Sequence, residues 1–316
     1  MRIWYKKEHD PKASWINKEY VVQLNLTGSC PFNCDFCYIK NNYSGVNLEF
    51  SQIVRLWKNL RKYANKLGIY YRVNMTGGDV FLYPEWKKVA KFLSKEKSVR
   101  FVDPLLNSFY KKNEYKNLLK ILEKKVSFVQ FNLDYVLEDD LEAVKGIGKK
   151  AVIKISLYKG SFKKDLMKAK KLVKKFPDTL YVSADLIIPQ LHISKKVNNL
   201  CIIKNLKDVK IMISTLKKEF GKSFWVRHPT LAYLAYKERY FCPIPFAGVY
   251  IFPDGSISLC PRYPHLKSGF TVENFDLLKY VSKFQNLIAS TCLYNNKYFH
   301  LFFSKEKNPL HFMEIK

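Results

Sequence analysis

The stretch TGSCPFNCDFCYIK, residues 27–40, places Cys30, Cys34 and Cys37, three of the chain's seven cysteines, within eight positions, with Phe36 just before the last. It follows YVVQLNLT (20–27), an apolar, β-branched run that reads as a strand. The thiols therefore stand at a strand end, where α/β folds keep their chemistry. Thiolates are soft ligands suited to zinc or to iron–sulfur clusters. Structural zinc takes four protein ligands, commonly as two close pairs, and here a local triad stands alone. A [4Fe–4S] cube held by three cysteines leaves one iron open to an outside ligand.

Working outward, five more strand-like runs follow: IYYRVNMT (69–76), VRFVD (99–103), VSFVQFNL (126–133), KAVIKISLY (150–158) and LYVSADLII (180–188). Helix-like segments lie between them near 48–67, 84–97, 112–125, 138–147 and 162–176. The first, LEFSQIVRLWKNLRKYANKLG, is apolar at helical spacing and ends at Gly68, a plausible cap. Six strands alternating with helices predict an α/β fold of parallel βα units. The length is too short for eight such units plus the tail that follows, so a partial (β/α)6 TIM barrel is expected. Beyond residue 200 the pattern changes. KNLKDVKIMISTLKKEFG (204–221) reads as a helix, FAGVYIFPDGSISLCPRY (246–263) as a β-hairpin turned at Asp254-Gly255, and VENFDLLKYVSKFQNLI (272–288) as a last helix. The expected organisation is an N-terminal extension (1–19), a barrel core (20–222) and a small α+β unit (223–316).

Composition narrows the setting. With 316 residues, 47% of them hydrophobic, the chain can bury a full core. The start, MRIWYKKEHD, is charged rather than apolar and is no secretory signal. No stretch approaches the ~18 continuous apolar residues of a membrane span. A soluble, cytoplasmic protein is expected, and an odd cysteine count in a reducing compartment argues for metal or redox chemistry over disulfides. The formal net charge of +28 favours polyanions or acidic partners. Its lysines are nevertheless spread along helical patterns such as KKDLMKAKKLVKKF (163–176), and no base-reading motif accompanies them. Solvated helix faces are the preferred reading over nucleic-acid binding.

Three cysteines spaced CxxxCxxC with an aromatic before the third resemble the signature of the radical S-adenosylmethionine (SAM) enzymes. In that family the open iron of a [4Fe–4S] cluster chelates the methionyl amine and carboxylate of SAM. An electron then cleaves the sulfonium to a 5′-deoxyadenosyl radical that abstracts hydrogen from substrate. The resemblance places Phe36 near the adenine. The second strand ends NMTGGDVFLYP (74–84), and Gly77 and Gly78 match the family's Gly-Gly-Glu motif, whose backbone contacts the SAM amino group. Asp79 replaces the usual Glu. Such glycines let backbone approach a ligand where a side chain would collide. VQFNLD (129–134) resembles the family's fourth strand end, making Asn132 a polar contact to SAM. Lys154 is a candidate for the SAM carboxylate, and Ile188, in LIIP (186–189), for packing on adenine. The third strand's VDPLLN (102–107) departs from the family's Thr-Asn-Gly, so no residue is carried over from it.

In the tail, Cys242, Gly255 and Cys260 lie in an arrangement that resembles the cysteine-bearing hairpin of SPASM and twitch subdomains, which hold auxiliary [4Fe–4S] clusters. Cys292 could supply a third ligand, and the absence of a further cysteine run resembles the shortened, twitch type. Cys201, in NNLCIIKNL (198–206), is the leftover thiol. It is a buried hydrophobe, the missing ligand, or a hydrogen-atom donor.

What the resemblance implies is a peptide substrate, matured by crosslinking, thioether formation, epimerisation or a related oxidation. A flavodoxin- or ferredoxin-type reductant is also implied. About twenty residues precede the first strand, too few for a peptide-recognition domain, which argues either against a leader-dependent mechanism or for a separate leader-recognition protein as partner. The competing readings are a radical SAM dehydrogenase of a sugar or aminocyclitol, a sulfatase-maturating type of enzyme and, from another class, a non-catalytic zinc or nucleic-acid-binding protein.

Overall fold

A computed structural model describes residues 19–32, 34, 37–107, 111–157, 160–186, 206–226, 248–259 and 267–284. Phe36, Ile188, Cys201, Cys242, Cys260 and Cys292 lie outside the described residues.

The six expected strands form: β1 (Glu19–Asn25), β2 (Tyr70–Thr76), β3 (Val99–Leu106), β4 (Phe128–Asn132), β5 (Lys150–Leu157) and β6 (Leu180–Leu186). Between them run α1 (Tyr38–Tyr43), α2 (Phe50–Leu67), α3 (Trp86–Lys95), α4 (Lys112–Leu122), α5 (Glu138–Gly146) and α6 (Phe162–Lys175). After β6 come α7 (Leu206–Phe220), β7 (Phe224–Val226), β8 (Gly248–Ile251), β9 (Ser256–Ser258), β10 (Lys267–Thr271) and α8 (Leu277–Phe284). The pairings β1–β2, β2–β3, β5–β6 and β6–β7 are all parallel, which makes this an α/β fold of successive βα units. Among the described residues no helix is long and apolar enough to cross a membrane.

The helices form for local reasons. In α2 the buried residues Ile53, Leu56, Trp57, Leu60 and Ala64 recur at helical spacing, giving one face to the core. At its start Gln52 Oε1 accepts from the Glu49 N–H at 3.1 Å, and at its end the Gly68 N–H returns to the Ala64 carbonyl.

The chain divides into two compact units and crosses from one to the other within β4, between Val129 and Gln130. One unit holds β1–β3 together with β8–β10 and α8, in the strand order β10-β9-β8-β1-β2-β3. Sequence periodicity does not reveal that β8 adds to β1 in parallel, with Leu24 opposite Ile251. The hairpin forms where expected, but Phe252–Gly255 all lie in its loop. There the Gly255 N–H donates to the Phe252 carbonyl at 2.9 Å, with Gly255 at φ 77°. Such a left-handed turn position favours glycine. The short strands β7 and β10 were not expected, since three residues, or five interrupted by Gly269, carry too little pattern.

The buried base of this unit is ionic. Arg72 on β2 donates to Glu19 (Nε–Oε1 2.9 Å), to Ser127 Oγ (2.8 Å) and to the fully buried Asp103. Asp103 also accepts from the Ser127 and Phe128 backbone amides at 3.0 and 3.2 Å, so its charge is compensated from several sides.

The second unit holds β5, β6 and β7, with β4 beside β5, in the order β4-β5-β6-β7. Ala151, Val152, Ile153, Ile155 and Leu157 bury β5 on both faces, as parallel strands covered by helices require. In this unit Lys168 of α6 caps the end of β4, its Nζ donating to the Leu133 carbonyl at 2.5 Å.

Candidate SAM and iron–sulfur site

The cysteine loop leaves β1 between two other pieces of backbone. On one side the Gly28 N–H donates to the Val46 carbonyl (2.8 Å) and the Leu48 N–H to the Leu26 carbonyl (2.9 Å), with Thr27 bridged to Asn47. On the other side the Gly78 N–H donates to the Thr27 carbonyl (2.6 Å) and the Asp79 N–H to the Ser29 carbonyl (2.8 Å). The Thr27 side chain accepts from the Ser29 N–H at 3.0 Å. The loop is thus stitched along both edges before it reaches Cys30.

This arrangement gives the glycine pair a reason within the chain itself. A Cβ on Gly78 would lie 2.3 Å from the Ser29 carbonyl oxygen and 3.1 Å from Cys30 Cβ. A Cβ on Gly77, at φ 149°, would lie 2.8 Å from the Thr27 carbonyl oxygen. The close approach that the bare backbone allows is the approach of the cysteine loop. Asp79 is buried, and its Oδ1 accepts from the Phe81 N–H at 2.8 Å, capping the short 3-10 turn Val80–Leu82.

Cys30, Cys34 and Cys37 are all free thiols and all half-buried. The Cys37 N–H donates to the Cys34 carbonyl at 3.0 Å. Burial pushes the Cys30 thiol up to about 11. The Phe32 backbone hydrogen bond opposes this rise, while Asp79 and the other two cysteines add to it. A positive metal centre is the natural counterpart of such a set, because ligation expels the thiol proton and neutralises the crowded sulfurs. Among the described residues no three His, Cys, Asp or Glu side chains converge on a single ion position. A [4Fe–4S] cube takes one thiolate per iron, and three half-buried cysteines on one loop are a donor set of that kind.

One neighbour was not foreseen. Asn107, the residue after β3, donates from Nδ2 to Cys30 Sγ at 3.7 Å. The signal in the sequence is a polar residue closing the apolar strand end PLLN, in a segment that departs from the family's Thr-Asn-Gly.

The other candidates fall in the second unit. Asn132 is the last residue of β4 and half-buried; its Oδ1 accepts from the Asp134 N–H at 3.3 Å. Its carbonyl accepts from the Tyr135 and Val136 amides. Lys154 lies in β5 opposite Ser183 of β6, and its carbonyl accepts from the Leu133 N–H at 3.1 Å. The β4 end and the Lys154 backbone are therefore joined.

No curated protein matches the chain in sequence. In fold it is similar to SuiB of Streptococcus suis bound to S-adenosylmethionine, at TM-score 0.61 and 15% identity over 92% of this chain and 75% of that one. It is also similar to SuiB bound to precursor peptide SuiA, at TM-score 0.58 and 16% identity over 83% of this chain. The match spans 64% of that peptide-bound protein, a little under two thirds of its length. A third similar structure is anSMEcpe with AdoMet and the Cp18Cys peptide, at TM-score 0.61 and 13% identity over 83% of this chain and 80% of that one. At such identities the likeness concerns the fold, an α/β partial barrel. The family pattern of the Radical SAM superfamily matches residues 24–188, just over half of the chain and a span that includes both the cysteine loop and the glycine pair, and the chain belongs to that superfamily of enzymes.

Proposed function

We propose that the chain is a peptide-modifying radical SAM enzyme, with Cys30, Cys34 and Cys37 holding the SAM-binding [4Fe–4S] cluster. The observation that carries this reading is the loop itself: three reduced, half-buried thiols beyond β1, laid against Gly77 and Gly78 at the end of β2. When bound, the cluster and SAM supply the reducing electron and the hydrogen-abstracting radical; the protein binds, orients and shields. Asp79 fixes the turn after the glycines, and Asn107 addresses the Cys30 sulfur. Phe36, Asn132, Lys154 and Ile188 are assigned to SAM.

A peptide substrate is favoured because two of the similar folds were crystallised with peptides. Cys242, Cys260 and Cys292 are assigned to one auxiliary cluster of the twitch type, a reading supported by the hairpin turned at Gly255. Cys201 is the candidate hydrogen donor, a flavodoxin or ferredoxin the candidate reductant, and a separate leader-binding protein the candidate partner.

Anaerobic reconstitution followed by iron and sulfide analysis tests the assignment. About eight irons per chain are expected for two cubes, and about four if the auxiliary set is empty. The triple Cys30, Cys34 and Cys37→Ala variant should lose about four irons and all reductive formation of 5′-deoxyadenosine from SAM. Stoichiometric zinc bound in place of iron, or SAM cleavage surviving the triple substitution, would overturn it. Turnover in deuterated water then separates epimerisation, which leaves deuterium at an α-carbon, from crosslinking or oxidation, which leaves a mass loss.

A further inference from the structure

The helix that follows the cysteine triad, α1, has only six residues, YIKNNY, too few to be stable by itself in water. Something must hold it. In the structure that support comes from the far end of the sequence. Phe252, in the loop of the β8–β9 hairpin, is fully buried and packs with Ile39 and Tyr43 of α1. Its ring stacks on Tyr43, with centroids 5.1 Å apart and planes 17° apart, and meets Tyr38 edge-on at 6.3 Å. Cys37 itself packs against this cluster, beside Tyr38 and Tyr250.

Two polar ties fix the same joint. Asn25, the buried last residue of β1, donates from Nδ2 to the Ile251 carbonyl at 2.7 Å, one residue before Phe252. The Tyr43 hydroxyl is a hydrogen-bond partner of the Ser256 side chain. Burial, with Asp254 adding to it and Ser256 opposing it, pushes that phenol up to about 12, so it stays neutral and in place. At the loop's beginning, a Cβ on Gly28 would lie 1.5 Å from the Tyr43 carbonyl oxygen, so the segment entering the triad and the helix leaving it press together. The hairpin therefore braces both ends of the cysteine loop.

We propose that Phe252 is a positioning residue for the SAM cluster, and that the C-terminal hairpin sets the placement of Cys37 by clamping α1 through the Phe252–Tyr43 stack. The proposal rests on the assignment of Cys30, Cys34 and Cys37 as cluster ligands. It adds that the hairpin, whose sequence runs on to Cys260, is a working part of the first cluster's site. Aromatic stacking gives a preferred geometry as well as buried area, so an aliphatic replacement of similar bulk does not reproduce it.

The test begins with hydrogen exchange on the metal-free full chain, where neither cluster nor turnover enters the readout. Phe252→Ala and Phe252→Leu should each raise exchange of the α1 amides, the former by about tenfold or more, because local opening replaces a packed state. Tyr43→Phe keeps the stack and loses only the Ser256 tie, so its α1 exchange should rise less than that of Phe252→Leu. Leu122→Ala, which empties a comparable core position on α4, should leave α1 exchange unchanged. If Phe252→Ala does not fold, Phe252→Leu and Tyr43→Leu decide: in a double-mutant cycle they should be non-additive, since each removes the same stack. After reconstitution, Phe252→Leu should keep its iron but show an altered electron paramagnetic resonance spectrum on adding SAM. Its KM for SAM should rise by about tenfold with a smaller change in kcat, which a general loss of stability does not produce. Unchanged α1 exchange in the Phe252 variants, or an equal rise in Leu122→Ala, overturns the proposal. A wild-type chain that takes up no cluster sinks the ligand assignment instead, and exchange alone then judges the brace.

Discussion

Replacing Gly78 by alanine is the sharpest probe of the cysteine loop. The added methyl would lie 2.3 Å from the Ser29 carbonyl oxygen, 2.8 Å from the Ser29 carbonyl carbon and 3.1 Å from Cys30 Cβ. The first two are backbone atoms, so no rotamer relieves the clash. Reaching ordinary contact distance requires the two backbones to part by about 1 Å. Overpacking of this kind costs about 1–3 kcal/mol. The same parting stretches the Gly78–Thr27 and Asp79–Ser29 hydrogen bonds, now 2.6 and 2.8 Å, each worth about 1 kcal/mol net. Together these terms reach roughly 3–5 kcal/mol, enough for the segment Ser29–Cys30 to move rather than absorb the strain. A displacement of about 1 Å at a reacting centre costs on the order of a hundredfold in rate. Gly78→Ala should therefore unfold at lower denaturant, bind less iron after anaerobic reconstitution, and form 5′-deoxyadenosine about a hundredfold more slowly or worse. The matched control is Gly146→Ala at the end of α5, where an added Cβ meets nothing within 4 Å and alanine is the better helix former by up to about 1 kcal/mol. A Gly78→Ala enzyme with full iron and wild-type SAM cleavage would refute the packing argument.

Three further outcomes are expected. Asn107→Ala removes the amide donor from Cys30 Sγ, so potentiometric titration should find the SAM cluster harder to reduce than in the wild type, with iron content unchanged. Arg72→Met strands the fully buried Asp103, and equilibrium denaturation should show a loss of about 3–5 kcal/mol, partly restored by adding Asp103→Asn. Burial alone would raise the Glu96 carboxyl, but Arg61 and the Ser98 hydroxyl and amide outweigh it and hold it below the ordinary value. That contribution is complete above the unfolded value of about 4.3 and is lost as pH falls through the lower folded one, so Glu96→Gln should flatten the acid limb of the stability curve.

The alternating strands and helices were legible because each element repeats one period for long enough to be seen: all six βα strands and the helices from α2 to α6 lie within a few residues of their expected places. The cysteine loop and glycine pair were legible because their chemistry leaves few alternatives. What the sequence did not disclose depends on contacts between distant segments. The addition of β8 to β1 joins residues more than two hundred positions apart, and nothing in GVYI names its partner. Phe252 reads as an ordinary turn-flanking aromatic until Tyr43 is placed over it. Asn107 is a single side chain whose meaning appears only when Cys30 Sγ arrives beside it.

The departure of Asp79 from the family's glutamate has a local explanation in the same packing. Its carboxylate closes on the Phe81 N–H two residues ahead, the short reach that aspartate makes at a turn's start and for which glutamate carries one methylene too many. Its backbone N–H is meanwhile committed to the Ser29 carbonyl. One residue thus ties the cysteine loop with its main chain and the following 3-10 turn with its side chain, both from a buried position. Where three stretches of backbone meet without room for side chains, the choice is narrowed to glycine at 28, 77 and 78, and the next residue must turn the chain away at once. Burial is the main reason the unliganded Cys30 thiol stays protonated, and the Asp79 charge adds to it.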